Sequence, residues 1–176
     1  MPAVFDRRHL LLAAAAAVVA RPAGAAQAVR HDWPRRQRTP PVALPLLDGA
    51  PWSLKAQRGH AVLLNFWAGW CEPCLAEMPS LAALAERERP SGLRVLAANY
   101  RESMPAIRHF LDATPLALVI ARDADGVAAR AFDVHAFPGT VAIGADGRAH
   151  FVVMGECDWA DERSRRWVDE LLGRRA

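Results

Sequence analysis

Cysteine is scarce in this chain, with only Cys71, Cys74 and Cys157 among 176 residues. Three thiols cannot make a disulfide framework, and a domain of this length buries enough core to need no such staples. Lysine is scarcer still, Lys55 standing alone, so the basic balance comes from arginine. The formal net charge is only +3, and residues 1–28 carry a net +2 of it through Arg7, Arg8 and Arg21 against Asp6. The +1 that remains is no platform for nucleic acid. Arg35-Arg36-Arg38 reads instead as part of a solvated linker. An apolar content of 52% with 23% charge argues against large-scale disorder. There is no internal repeat, and length allows one domain with short extensions.

Long apolar runs are also missing. Leu10 to Ala20 holds eleven uncharged residues after Asp6-Arg7-Arg8-His9. As a helix these rise only ~16 Å, well short of a ~30 Å hydrocarbon core. A basic flank, a short apolar core and small residues mark a signal peptide over residues 1–28, with cleavage after Ala28 or, as a second choice, Ala25. The arginine pair also resembles a twin-arginine signal, and general export remains the other reading. Either route predicts a periplasmic protein, in a compartment where cysteines are open to oxidation.

Residues 29–41, with three prolines and four arginines, read as a linker, and the domain is expected over 42–173. Val42 to Leu47 reads as a strand entering the Asp48-Gly49 turn. Ala61 to Trp67 is almost continuously apolar, the pattern of a strand buried on both faces. A helix is expected from Cys71 to Arg89 with Leu75, Met78, Ala82 and Ala85 on one face and a kink at Pro79. Leu93–Asn99, Leu116–Ile120, Thr140–Gly144 and His150–Met154 read as strands, the last two joined by Asp146-Gly147. Helices are expected over Pro105–Asp112, Val127–Phe132 and Asp161–Leu172. Strands alternating with crossover helices and closed by a hairpin predict an α/β sandwich. Its central sheet would be mixed, with a parallel core and a C-terminal antiparallel hairpin.

The chemistry concentrates in Trp70-Cys71-Glu72-Pro73-Cys74. A Cys-x-x-Cys that follows a buried strand and opens a helix is a redox motif. The first sulfur meets the unpaired N–H groups at the helix end, which favour the thiolate and make Cys71 the nucleophile. Cys74, one turn further in, is the resolving thiol that attacks Cys71 and releases the partner. No second cysteine pair supplies zinc ligands, and Leu75 stands where a c-type haem needs histidine. No metal or organic cofactor is expected. A four-residue structural disulfide would constrain the unfolded chain only weakly.

Val62 to Cys74, above all Leu64-Asn65-Phe66-Trp67-Ala68 before Trp70-Cys71, resembles the TlpA-like branch of the thioredoxin family, which includes the ResA and CcmG proteins. The likeness extends over residues 42–157 and takes in Asp48-Gly49, Pro79 and Phe137-Pro138. It implies a thioredoxin-like three-layer sandwich and a cis-proline at Pro138, with Phe137 offering its backbone to an extended substrate. Asn65 stands where thioredoxins bury an aspartate. ResA-like members carry a glutamate three residues after the second cysteine, here Glu77, and i,i+3 neighbours on a helix meet. The resemblance assigns Glu77 to proton transfer with Cys74. Glu72 puts negative charge beside the thiolate, which points to a reductant. Phe137 is bulkier than the family pattern, and Gly139 replaces a polar residue.

By resemblance the partners are exported proteins with cysteines, such as apocytochrome c or copper-site proteins, and a membrane thiol donor of electrons. A copper metallochaperone using the same pair with His135 is the alternative, although its relatives space the cysteines one residue wider. A peroxiredoxin would need threonine and proline before its nucleophile in place of Trp70. Cys157 reads as a free or lightly exposed thiol, or one that pairs between molecules.

Overall fold

The computed structural model describes residues 28–174. The expected leader therefore lies outside the described residues except for Ala28. Among the described residues no helix is long and apolar enough to cross a membrane.

Six strands build the central sheet. In chain order they are β1 (Val29–Asp32), β4 (Ala61–Trp67), β5 (Leu93–Tyr100), β6 (Val119–Asp123), β7 (Gly139–Ile143) and β8 (Ala149–Met154). β4 is buried at all seven positions and its neighbour β7 at all five, as interior strands covered on both faces are. The spatial order is β1-β8-β7-β4-β5-β6. β4 pairs parallel with β5, and β5 with β6. β7 runs antiparallel to both β4 and β8. A small hairpin, β2 (Ala43–Pro45) with β3 (Pro51–Ser53), lies outside this sheet.

Side chains alternate across β4, and the two faces build two cores. Leu63 and Trp67 face α1 (Glu72–Glu88), α2 (Met104–Ala113) and α4 (Glu162–Leu171), meeting Met78, Leu81, Ile107 and Val168. Val62, Leu64 and Phe66 face α3 (Val127–Ala131) and the β2–β3 side, meeting Phe132, Leu44 and Trp33. Helices on one face, the sheet, and α3 with the small hairpin on the other make the three-layer α/β sandwich. Asn65 has the parity of Leu63 and Trp67, so the one polar residue of β4 is delivered to the α1 side.

Several boundaries move for physical reasons. Residues 29–41, expected as a linker, open with β1, an edge strand paired to β8 from Val29↔Met154 to Asp32↔Phe151. Arg30 secures it, bonding Glu170 of α4 at 2.6 and 2.8 Å and stacking 4.0 Å over Phe151. The strand expected at Leu116–Ile120 lies instead at Val119–Asp123, and its last carboxylate is buried as a cap, accepting from Ala128 N at 3.2 Å and Ala129 N at 2.9 Å. The buried stripe of α1 is Cys74, Glu77, Met78, Leu81, Leu84 and Glu88; Leu75, Ala82 and Ala85 lie at its margin. An apolar count misses that stripe because two of its members are glutamates. The helix continues through Pro79.

Candidate functional site

Helix α1 begins where β4 ends, after the turn Ala68-Gly69-Trp70. Cys71 is its N-cap residue. Its sulfur occupies the place that serine or aspartate oxygens take at other helix starts and accepts the Cys74 N–H at 3.3 Å. Glu72 and Pro73 fill the first helical positions, both exposed, and proline is suited there because its missing N–H would have no helical partner. Cys71 and Cys74 are joined as a disulfide. Cys71 keeps a sliver of exposure at 5%, whereas Cys74 is sealed at 0%. The outer sulfur is thus the one a partner can reach.

Glu77 lies one turn below Cys74, only 2% exposed. Its Oε1 accepts the Asn65 side-chain amide at 2.7 Å and its Oε2 accepts the Cys157 backbone N–H at 3.0 Å. The same Asn65 amide nitrogen donates to Thr140 Oγ1 at 2.9 Å. Burial outweighs these bonds and pushes the Glu77 carboxyl up from 4.5 to about 8. The Trp159 indole N–H adds only a weak stabilising influence on the carboxylate, since it makes no hydrogen bond of good geometry.

Cys157 is free but fully buried, which corrects the lightly exposed placement. Burial first, and the nearby Glu77 second, push its thiol up to about 12. It packs in the core cluster that holds Cys71, Cys74 and Trp159.

The Phe137–Pro138 peptide bond is cis. Trp70 projects into solvent with 67% of its surface exposed. Its ring meets Phe137 edge-on at 6.2 Å, and Phe137 meets Tyr100 at 4.6 Å. The bulk of Phe137 is therefore the middle of a three-ring row beside the cysteine turn. Gly139 has a steric cause: a Cβ there would stand 2.5 Å from Val134 Cγ1 and 3.2 Å from the Ala136 carbonyl oxygen.

Two residues of the site, Glu102 and Tyr100, escape sequence reasoning, as does the role of a third, Asn65. Glu102, after β5, accepts Gly69 N at 2.6 Å and Asn99 Nδ2 at 2.6 Å, and so fixes the turn that presents Trp70 and Cys71. Tyr100 completes the aromatic row. Asn65 acts as the donor that orients Glu77, a role that only a buried polar residue within an apolar strand could have signalled. His135 sits on an exposed loop with Nδ1 2.8 Å from the Asp133 carbonyl oxygen. Among the described residues no three His, Cys, Asp or Glu side chains gather into a metal-sized cluster.

Comparison with known proteins gives this geometry its lineage. The chain is 32% identical over 108 residues to the thiol-disulfide oxidoreductase ResA of Bacillus subtilis, covering 61% of this chain and 60% of that protein. It therefore spans less than two thirds of that relative's length. A thiol:disulfide interchange protein of the thioredoxin family from Chlorobium tepidum superposes with a TM-score of 0.69 at 25% identity, over 80% of this chain and 99% of that one. A secreted Mycobacterium tuberculosis disulfide oxidoreductase, described as homologous to E. coli DsbE, gives a TM-score of 0.58 at 27% identity, over 75% and 94%. Residues 36–156 match the AhpC/TSA family, and with the thioredoxin-like fold around Cys71 and Cys74 this chain belongs to that family.

Proposed function

We propose that this protein is an exported thiol–disulfide oxidoreductase that reduces disulfides in partner proteins. The observation that carries the reading is the Cys71 sulfur at the N-cap of α1, bonded to Cys74, with the buried Glu77 carboxyl one turn deeper. In the dithiol form the Cys71 thiolate, favoured by the helix end, attacks a partner disulfide. A bond forms between Cys71 and one partner sulfur, and the other partner sulfur leaves and takes a proton. Cys74 then gives its proton to the Glu77 carboxylate and attacks Cys71. The Cys71–Cys74 disulfide closes, the partner departs with both sulfurs reduced, and two electrons have passed to it.

A carboxyl titrating near 8 suits this exchange, because its proton affinity is close to that of a thiol. Glu72, exposed beside Cys71, adds negative charge that opposes the helix-end effect and favours a reducing couple. The row Trp70–Phe137–Tyr100 offers partners an apolar landing surface, and Pro138 lies at its edge as the cis-proline of the substrate groove. We infer a periplasmic location from the leader, a reading in keeping with the secreted relative. The partners would be exported proteins such as apocytochrome c before haem attachment or copper-site proteins, with a membrane thiol protein recharging the pair.

Insulin reduction driven by dithiothreitol tests the activity. The wild type should accelerate precipitation of the insulin chains, and Cys71→Ser should lower the rate to that of dithiothreitol alone. Equal rates for the two proteins would contradict the proposal.

A further inference from the structure

The segment that reads as a solvated basic linker is folded back and pinned. Trp33 is buried against Phe132 with ring centroids 5.6 Å apart, and its Nε1 donates to the Gln37 carbonyl at 3.1 Å. Thr39 Oγ1 accepts Ala149 N at 2.7 Å, and Arg148 Nη2 donates to the Arg35 carbonyl at 3.2 Å. These bonds wrap the segment around a cleft of about 280 Å³ lined by Trp33, Arg35, Arg36, Arg38, Arg58 and Arg148.

Arg58 reaches the cleft across the tip of the β7–β8 hairpin, donating to the Asp146 carbonyl at 2.8 Å. Residue 147, with φ +76°, is glycine, and a Cβ there would crowd the Arg58 guanidinium carbon at 3.3 Å. Among the described residues no carboxylate lies within 4.0 Å of a side-chain nitrogen of Arg35, Arg36, Arg38, Arg58 or Arg148. Arg30, Arg87, Arg89, Arg166 and Arg174 are paired, and what sets the five unpaired arginines here apart from others on the surface is that they line one cleft.

Five permanently charged arginines line one small cleft, and among the described residues none of them is ion-paired, so their like charges go uncompensated at close range. We propose that this cleft is a binding site for a phosphate-bearing anion. Phosphate concentrates negative charge and acceptor oxygens on one centre, and guanidinium forks match it bidentately. An acidic peptide spreads its charges at one per ~3.3 Å or more of extended chain and suits a volume of this size less well. The site is remote from the cysteines. Val62 pairs with Ile143 beside the hairpin tip and Phe66 pairs with Gly139 at the cysteine end. The length of β4, roughly 20 Å, separates the two.

The test uses the folded protein and its Arg36→Gln/Arg38→Gln variant, both side chains being exposed and free of structural hydrogen bonds. Inorganic pyrophosphate followed by amide chemical shifts, and phosphatidylglycerol vesicles followed by sedimentation, are both run at ~0.1 M salt, where exposed charges are screened beyond ~10 Å. Binding in either arm, at least tenfold weaker in the variant but unchanged in an Arg108→Gln/Arg165→Gln control, supports the site. The responding arm tells a free phosphate from a lipid headgroup. Insulin reduction by the variant should equal that of the wild type, so this result stands apart from the redox reading. Absence of binding in both arms, wild-type affinity in the variant, or equally tight binding of poly-glutamate would overturn it.

Discussion

The side-chain amide of Asn65, at the middle of β4, donates a 2.7 Å hydrogen bond to the buried carboxyl of Glu77 on α1. This contact joins the central strand to the helix that carries both reactive sulfurs, and it holds a carboxyl where water cannot reach it. Thr140 on the neighbouring strand and the backbone of Cys157 complete the cradle.

The cradle makes stability depend on pH in a defined direction. Glu77 titrates near 8 in the fold and at its ordinary value of 4.5 in the unfolded chain. Between these values the folded state holds more protons, so stability is full below about pH 4.5, falls as pH rises and levels off above about pH 8. The fall from this one group should be on the order of 3–5 kcal/mol. Urea denaturation across pH 5–8 measures it, and Glu77→Gln should flatten the profile. The same variant should slow exchange and remove its rise near pH 8; unchanged exchange rates over pH 6–9 would take Glu77 out of the proton path.

Trp70 separates docking from chemistry. Its exposure means that Trp70→Ala should change stability by no more than ~0.5 kcal/mol. Reduction of a protein disulfide should nevertheless weaken several-fold in kcat/KM, while exchange with a small disulfide such as oxidised glutathione stays near wild type. Equal losses on both substrates would assign Trp70 to the sulfur chemistry and not to partner binding.

Cys157 should be chemically silent. With its thiol at about 12 and its side chain buried, Cys157 should stay unlabelled by iodoacetamide at pH 8 until urea is added, while Cys71 of the reduced protein is labelled. Mass spectrometry of the digested protein reads this out. Rapid native labelling of Cys157 would contradict its burial.

The cysteine pair, the sandwich and the hairpin are legible in the sequence because each has a local signal: Cys-x-x-Cys after an apolar run, alternating strand and helix periods, and Asp146-Gly147. Relationships across the fold were harder to read. Asn65 and Glu77 are twelve positions apart, and only the parity of β4 and the register of α1 bring them together. Glu102 reaches Gly69 from the far side of β5. The arginines at 35, 36 and 38 looked like a linker because composition cannot show that Trp33 is anchored against Phe132. The capping of α3 by Asp123 is visible only once the helix is in place.

The division of labour between the two sulfurs is the claim most exposed to direct measurement. Reduced Cys74→Ala protein, mixed with a protein disulfide and analysed by mass spectrometry after acid quenching, should accumulate a one-to-one mixed disulfide mapped to Cys71, and Cys71→Ala protein should accumulate almost none. A stable adduct on Cys74 or Cys157, or no adduct in either variant, would contradict the assignment of Cys71 as the attacking sulfur.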